Sequence, residues 1–224
     1  MMAEKFAVIG LGQFGRAICK KLSAKGAEVI AIDIDEDRVD EIKDHVSYAV
    51  QLDSTDKRAL ESQNISEMDA VIVSIGHNFE GMLLTTVKLL EIGVKRLVAR
   101  TQGDTQRKIL EKMGVTEILS PEEEVGINVA ERLMNPSMLM CMPLPDNYEI
   151  VEITAPKSVV GRTIKDLGLL SKYRLNLVTL IESSGNVELH IKGVIEDDEI
   201  IKENYVLVVF GLTHDVERFI DING

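Results

Sequence analysis

The chain has 224 residues, 45 % of them hydrophobic, with 37 acidic and 25 basic side chains and a formal charge of −12. That length holds one large domain, or one large and one small, and the acidity speaks against the basic face that a nucleic-acid partner requires. Two distant cysteines, Cys19 and Cys141, without C-x-x-C spacing speak for a reducing compartment and against a cysteine zinc site.

No apolar run approaches the roughly 18 residues of a membrane span. Met1 to Phe6 lacks the apolar core of a signal peptide. A soluble, cytoplasmic protein is expected.

In chain order, short β-rich runs alternate with amphipathic stretches up to residue 135. The predicted strands are Phe6–Gly10, Glu28–Asp33, Ser47–Asp53, Ala70–Ile75, Arg96–Thr101 and Glu117–Ser120. Their apolar character is nearly continuous, as in Ala70-Val71-Ile72-Val73, which fits strands covered on both faces. The predicted helices between them include Gln13–Lys25, Asp37–Lys43, Phe79–Ile92 and Asp104–Met113. Gly26, Gly93 and Gly114 follow three of them as left-handed caps. Six strands in βα alternation predict a doubly wound parallel sheet of order 3-2-1-4-5-6. Val125–Met134 reads as one more helix, stopped by Asn135-Pro136.

The texture then changes. Residues 136–147 carry Pro136, Pro143 and Pro145 around Ser137-Met138-Leu139-Met140-Cys141-Met142, and read as a linker whose methionines are packing. From residue 148 to 224 a small α+β domain is expected. It has strand Glu149–Thr154, helix Thr163–Leu170, strands Leu175–Glu182, Val187–Ile191 and Tyr205–Gly211, and helix His214–Ile220. A unit of that size commonly dimerises to bury more surface.

Chemistry concentrates at Gly10-Leu11-Gly12-Gln13-Phe14-Gly15, a G-x-G-x-x-G that leaves a strand and opens a helix. Gly10 serves the tight turn, Gly12 admits a pyrophosphate close to the backbone, and Gly15 allows close helix–strand packing. The helix N-terminus offers free N–H groups to the phosphates. The second strand ends on Asp33, placed to meet ribose hydroxyls; its carboxylate would repel a 2′-phosphate, which disfavours NADP. Three further strand ends should line the same crevice. They carry Asp53-Ser54-Thr55, then Ile75-Gly76-His77-Asn78, then Arg100. Asp53 and Ser54 are candidates for an adenine or ribose edge, with Ser54 or Thr55 as a helix cap the plainer reading. Arg100 is a phosphate candidate or the partner of a surface acid, and Arg16 is a second phosphate candidate.

Enzymatic signatures are missing. His45, His77, His190 and His214 form no motif, and no Tyr has a Lys four residues on. There is no P-loop and no G-x-S-x-G elbow. A nucleotide-binding regulator is therefore preferred, with an NAD-dependent oxidoreductase as the alternative.

The stretches Phe6–Gly15, Ala31-Ile32-Asp33-Ile34-Asp35, Ile72-Val73-Ser74-Ile75-Gly76-His77-Asn78 and Ser120-Pro121-Glu122 resemble the RCK (regulator of K⁺ conductance) family, in its KtrA/TrkA-type cytosolic form. The likeness covers nearly the whole chain. It implies a gating subunit for a membrane-embedded K⁺ channel or transporter, peripheral to the inner face of the cell membrane. It implies dimers that assemble into a larger ring, an octamer, and binding of ATP/ADP or NAD(H). By position, Gly10, Gly12, Gln13, Phe14, Gly15, Asp33, Arg38, Asp53, Ser54, Ile75, Gly76, Asn78 and Arg100 fall on nucleotide-contacting places. Glu122 falls where the family places Mg²⁺ or Ca²⁺ near the phosphates; on its own residues, Glu122-Glu123-Glu124 is the acidic first turn of a helix. This chain departs from the family at Gln13, where KtrA relatives often carry Arg, with Arg16 as the substitute. It departs again at Leu170, where C-terminal domains that bind a cyclic dinucleotide often carry Arg.

Overall fold

A computed structural model describes residues 3–184 and 188–224. It divides into two compact units, Met1–Glu123 and Glu124–Gly224.

The first unit alternates strand and helix throughout: β1 (Lys5–Ile9), α1 (Gln13–Ala24), β2 (Glu28–Asp33), α2 (Glu36–Ile42), β3 (Tyr48–Gln51), α3 (Lys57–Ser62), β4 (Ala70–Val73), α4 (Phe79–Ile92), β5 (Leu97–Arg100), α5 (Asp104–Lys112) and β6 (Glu117–Leu119). The sheet order is β3-β2-β1-β4-β5-β6, and all five strand pairs are parallel. The strands read as continuous apolar runs because each face has its own core. Ala7, Ile9, Val71 and Val73 pack with Met82 and Leu89 of α4 on one side. Val8, Ala31 and Ile72 pack with Cys19 of α1 and Val39 of α2 on the other. The strand order reverses between β1 and β4, so a crevice opens at their carboxyl ends. Everything described below as a site lies there.

The second unit begins inside α6 (Pro121–Met134). It contains β7 (Met138–Pro143), β8 (Tyr148–Thr154), α7 (Ile164–Leu167), α8 (Leu169–Tyr173), β9 (Asn176–Ser184), β10 (Glu188–Ile191), β11 (Tyr205–Leu212) and α9 (Thr213–Asn223). The antiparallel sheet runs β10-β9-β11-β8-β7. Val151, Ile153, Leu180, Leu207 and Val209 turn one face onto Tyr173 of α8 and Val216 and Phe219 of α9. Tyr173 meets Phe219 edge-on, ring centroids 5.0 Å apart at 87°. Cutting Phe219 to Ala would cost about 3–5 kcal/mol on general grounds.

Three details differ from the sequence reading. The segment expected to be linker, 136–147, contains β7, which pairs with β8 and buries Met138 and Cys141. Met138-Leu139-Met140-Cys141-Met142 is apolar throughout, so no alternation marked it as a strand, and its pairing carries a register irregularity between Met138 and Met140. The single helix expected over Thr163–Leu170 is two short ones, α7 and α8, because Gly168 adopts φ 64° between them. The strand expected from Val187 is described from Glu188 onward; Val187, like Met1 and Met2 at the chain start, lies outside the described residues.

One buried polar group stands out in this unit. Glu149 on β8 is only 6 % exposed. Its Oε2 accepts from Cys141 Sγ at 3.3 Å, while its Oε1 has no partner among the described residues. Burial pushes the Glu149 carboxyl above the ordinary carboxylate range. Burial also pushes the Cys141 thiol up to about 12.

Candidate functional site

A cleft of about 770 Å³ opens at the carboxyl ends of β1, β2, β4 and β5. That is within the usual size of a cofactor site. Of the residues that the sequence places there, Gly10, Gly12, Gln13, Phe14, Asp33, Arg38, Asp53, Ser54, Ile75, Gly76, Asn78, Arg100 and Glu122 all line it. Gly15 lies just behind the lining.

The glycine loop is held from both sides. Gly10 has φ +96°, and a Cβ on it would stand 2.8 Å from the Ile75 nitrogen and 3.0 Å from the Ser74 carbonyl carbon. A Cβ on Gly15 would stand 2.6 Å from Ser74 Oγ and overlap the Gly10 carbonyl. Ser74 Oγ in turn donates to that same carbonyl, so β4 clamps the turn that leaves β1. Gly12 is different. It is the N-cap of α1 with φ −63°, it makes no side-chain cap bond, and nothing lies within 4 Å of a Cβ built on it. Its want of a side chain answers no internal need; it leaves open space over a helix end whose first N–H groups no side chain caps. No acidic residue occupies that first turn either, so the positive end of the helix dipole faces the cleft uncompensated.

Asp33 closes the loop from β2. Only 6 % exposed, it accepts the Leu11 N–H on Oδ2 at 2.6 Å and the Asp35 N–H on Oδ1 at 3.0 Å. Arg38 of α2 reaches it at 3.7 Å and Asp35 at 3.4 Å. After β3, Asp53 Oδ1 accepts from the Thr55 N–H at 2.9 Å and the Thr55 hydroxyl at 2.7 Å. The Ser54 hydroxyl is turned inward onto Thr85 Oγ1 of α4 at 2.7 Å. Neither Ser54 nor Thr55 caps α3, a role taken by Asp56, which accepts from the Arg58 N–H. Asn78 caps α4 through the Gly81 N–H at 2.9 Å.

At the far side, Arg100 leaves the end of β5. Its guanidinium lies 5.5 Å from the centre of the Phe14 ring and pairs with Glu122. Its Nε is buried without a partner among the described residues. Arg16, the expected second phosphate contact, lines the cleft too. Its Nη1 donates to the Leu11 carbonyl at 3.0 Å and pairs with Glu41 at 2.8 Å. Among the described residues no three His, Cys, Asp or Glu side chains gather where they could hold a metal. A cation at Glu122 would therefore need ligands from a bound molecule.

Sequence reasoning overlooked Ser74 and Thr85, both buried, which brace the lining from beneath. A lone Ser at the end of an apolar strand carries no motif, and Thr85 lies in a helix far from the glycine loop in sequence.

The donor set fits a nucleotide: an uncapped helix end beneath an open glycine, a buried carboxylate at the end of β2, and an arginine with unsatisfied donors across the cleft.

Residues 6–121 match the TrkA-N domain family. The chain is 37 % identical over 218 residues to Ktr system potassium uptake protein C of Bacillus subtilis strain 168, covering 97 % of this chain and 96 % of that protein. It is 35 % identical over 216 residues to Ktr system potassium uptake protein A of the same organism, covering 96 % and 95 %. Among solved structures, the RCK domain of GsuK superposes with a TM-score of 0.69 at 13 % identity, over 100 % of this chain and 48 % of that one. The GsuK channel bound to NAD superposes at 0.67 and 13 %, over 100 % and 40 %. At that identity the GsuK likeness speaks for the fold. Among the described residues no helix is long and apolar enough to cross a membrane.

Proposed function

The chain belongs to the TrkA-N domain family, and from that premise we propose that it is the nucleotide-binding regulatory subunit of a potassium channel or transporter. The observation that carries this is the cleft at the carboxyl ends of β1, β2, β4 and β5, in a chain that matches potassium-uptake proteins over nearly all its length.

In this reading the diphosphate of ATP, ADP or NAD(H) rests on the N-terminus of α1 over Gly10, Gly12 and Gln13. Asp33 and Arg38 take the ribose. Asp53 and Ser54 edge the base, and Ile75, Gly76 and Asn78 form the opposite wall with Phe14. Arg100 takes a phosphate. Mg²⁺ or Ca²⁺ rides on the phosphates with Glu122 as the one added carboxylate, since Mg²⁺ is commonly held by one or two carboxylates plus phosphate oxygens.

The protein binds and switches; it does not turn over substrate. It is cytoplasmic, held at the inner face of the membrane by a membrane-embedded K⁺-conducting subunit. It assembles as dimers into a ring, an octamer, and its C-terminal domain is a candidate for a cyclic dinucleotide. Ring assembly answers an energetic need. Switching a two-state assembly from 1:99 to 99:1 takes about 5.5 kcal/mol, whereas one allosteric site contributes typically ~1–3 kcal/mol. Several identical sites acting together reach it.

The test is thermal unfolding with ADP, ATP and NADH. Saturation at about 100 times Kd stabilises by roughly 2.7 kcal/mol, a clear rise in melting temperature. Gly12→Asp removes that rise. If no nucleotide shifts the wild-type melt and none co-purifies, the reading fails. Substrate-dependent NADH oxidation by the purified chain would move it to the oxidoreductases.

A further inference from the structure

One peptide unit of the glycine loop is held at both ends. The carbonyl of the Gly10–Leu11 peptide accepts from Ser74 Oγ, just past β4. The N–H of the same peptide donates to Asp33 Oδ2, at the end of β2, at 2.6 Å. A trans peptide is planar, with its C=O and N–H pointing opposite ways. Strands β2 and β4 flank β1 in the sheet, so the two bonds hold the plane from both sides of the strand that the loop leaves. Both side chains are buried.

The surroundings are shaped to this arrangement. The Ser74 N–H donates to the Ile9 carbonyl at 2.8 Å, which sets its hydroxyl beside the turn. Gly15 leaves the room: a Cβ there would stand 2.6 Å from Ser74 Oγ and overlap the Gly10 carbonyl. The third glycine of the motif thus clears a place for an inward-pointing carbonyl. Gly10 needs such a hold. A glycine accepts either sign of φ, so the residue that permits the turn at φ +96° also leaves its peptide free to rotate. Rotation would turn the carbonyl out at the cleft that Gly10 lines, where an acceptor oxygen would repel a phosphate.

We infer that Ser74 is a positioning residue for phosphate recognition: together with Asp33 it fixes the Gly10–Leu11 peptide so that the Gly10 carbonyl stays inside and only N–H groups of the loop and α1 face the phosphates. This rests on the nucleotide reading above and adds to it the side chain that keeps the phosphate seat free of an acceptor oxygen. Ser74 acts through the peptide it holds, not by touching the ligand. Its partner in that task is Asp33, 41 residues earlier, and the two meet the same peptide from neighbouring strands of β1. Removing the Ser74 hydroxyl therefore loosens the Leu11 N–H as well, although Asp33 is untouched.

Calorimetric titration of the full chain with ADP, and its backbone NMR spectrum without ligand, test this. Ser74→Ala should bind ADP about tenfold more weakly, the equivalent of one buried hydrogen bond. Its Leu11 amide proton, held downfield by the short bond to Asp33, should move upfield. The Val71 amide, bonded to the Arg96 carbonyl elsewhere in the same sheet, should keep its wild-type position. If Ser74→Ala does not fold, Ser74→Cys, which offers only a weak donor, is read in the same way. The inference is overturned if wild type binds ADP and the variant binds it as tightly, or if affinity falls with the Leu11 resonance unmoved. Equal movement at Leu11 and Val71 would make Ser74 a general brace of the sheet and overturn it too. A wild type that binds neither ADP nor ATP nor NADH takes the nucleotide reading down, and this inference with it.

Discussion

The Asp33 carboxylate and the Leu11 backbone N–H meet at 2.6 Å across 22 residues of sequence, so the end of β2 holds the glycine loop in shape before any ligand arrives. A buried bond of this kind, to a charged acceptor, contributes roughly 1.5–3 kcal/mol. Asp33→Ala should lower the unfolding free energy by about that amount without nucleotide, and should also abolish the nucleotide-induced rise in melting temperature. Denaturant melts with and without ADP measure both. A variant that loses binding at unchanged intrinsic stability would restrict Asp33 to the ribose alone.

Gly10 and Gly12 separate by the same logic in opposite directions. Gly10→Ala forces a Cβ against the backbone of Ser74 and Ile75 at a positive φ. It should cost on the order of 2 kcal/mol or more in stability. Gly12→Ala meets nothing within 4 Å and has an ordinary φ. Its melting temperature without ligand should stay within about 1 kcal/mol equivalent of wild type, while nucleotide affinity falls. Equal destabilisation by the two changes would contradict the open space over Gly12.

These two glycines mark how far the sequence could be read. The motif, its strand–helix setting and Asp33 are local signals, and continuous apolar strands announce a sheet covered on both faces; strand order follows from both. What the sequence concealed was partner choice. Arg16 and Arg100 are equally plausible phosphate contacts on paper; in the fold both line the cleft, and only there does it emerge that each already has an acid, Glu41 for Arg16 and Glu122 for Arg100. Strand β7 was hidden for another reason. Pro136, Pro143 and Pro145 in and around it resemble a linker's, and Met138-Leu139-Met140-Cys141-Met142 is apolar throughout, so it lacks the period-two pattern by which a half-buried strand is known.

Glu149 gives a pH prediction. Burial raises its carboxyl above the value in the unfolded chain. The native state therefore keeps the proton to higher pH, and unfolding free energy falls as pH rises through the interval between the two values, then levels off. Glu149→Gln removes that loss. It should stabilise the protein at pH 7–8 by on the order of 1 kcal/mol and change little near pH 4, where the wild-type carboxyl is protonated in both states. Urea melts at pH 4, 5.5 and 7.5 follow it; a variant equally or less stable than wild type at pH 7.5 would show the carboxylate well accommodated.

Helix α6 presents Val125, Val129 and Leu133 at four-residue spacing, all exposed, and none of its described side chains is buried. An apolar stripe of that kind is the usual mark of a face meant for another surface. Light scattering should find a particle larger than a dimer. Val129→Asp combined with Leu133→Asp should reduce it while leaving each chain folded by circular dichroism. A wild type that is monomeric at micromolar concentration would exclude ring assembly.

The balance of charge around the cleft also bears on speed. Anion sites with a net positive field draw ligands in faster than diffusion alone, and lose that advantage as salt is added. Here the lining arginines and carboxylates cancel, on a chain of net charge −12. An anionic nucleotide gains no steering from the cleft and is repelled by the chain at large, so its arrival should be slow at low salt and quicken as salt screens the repulsion. Once screened, competing nucleotides would enter at similar rates, and the chain would tell them apart by how long each stays.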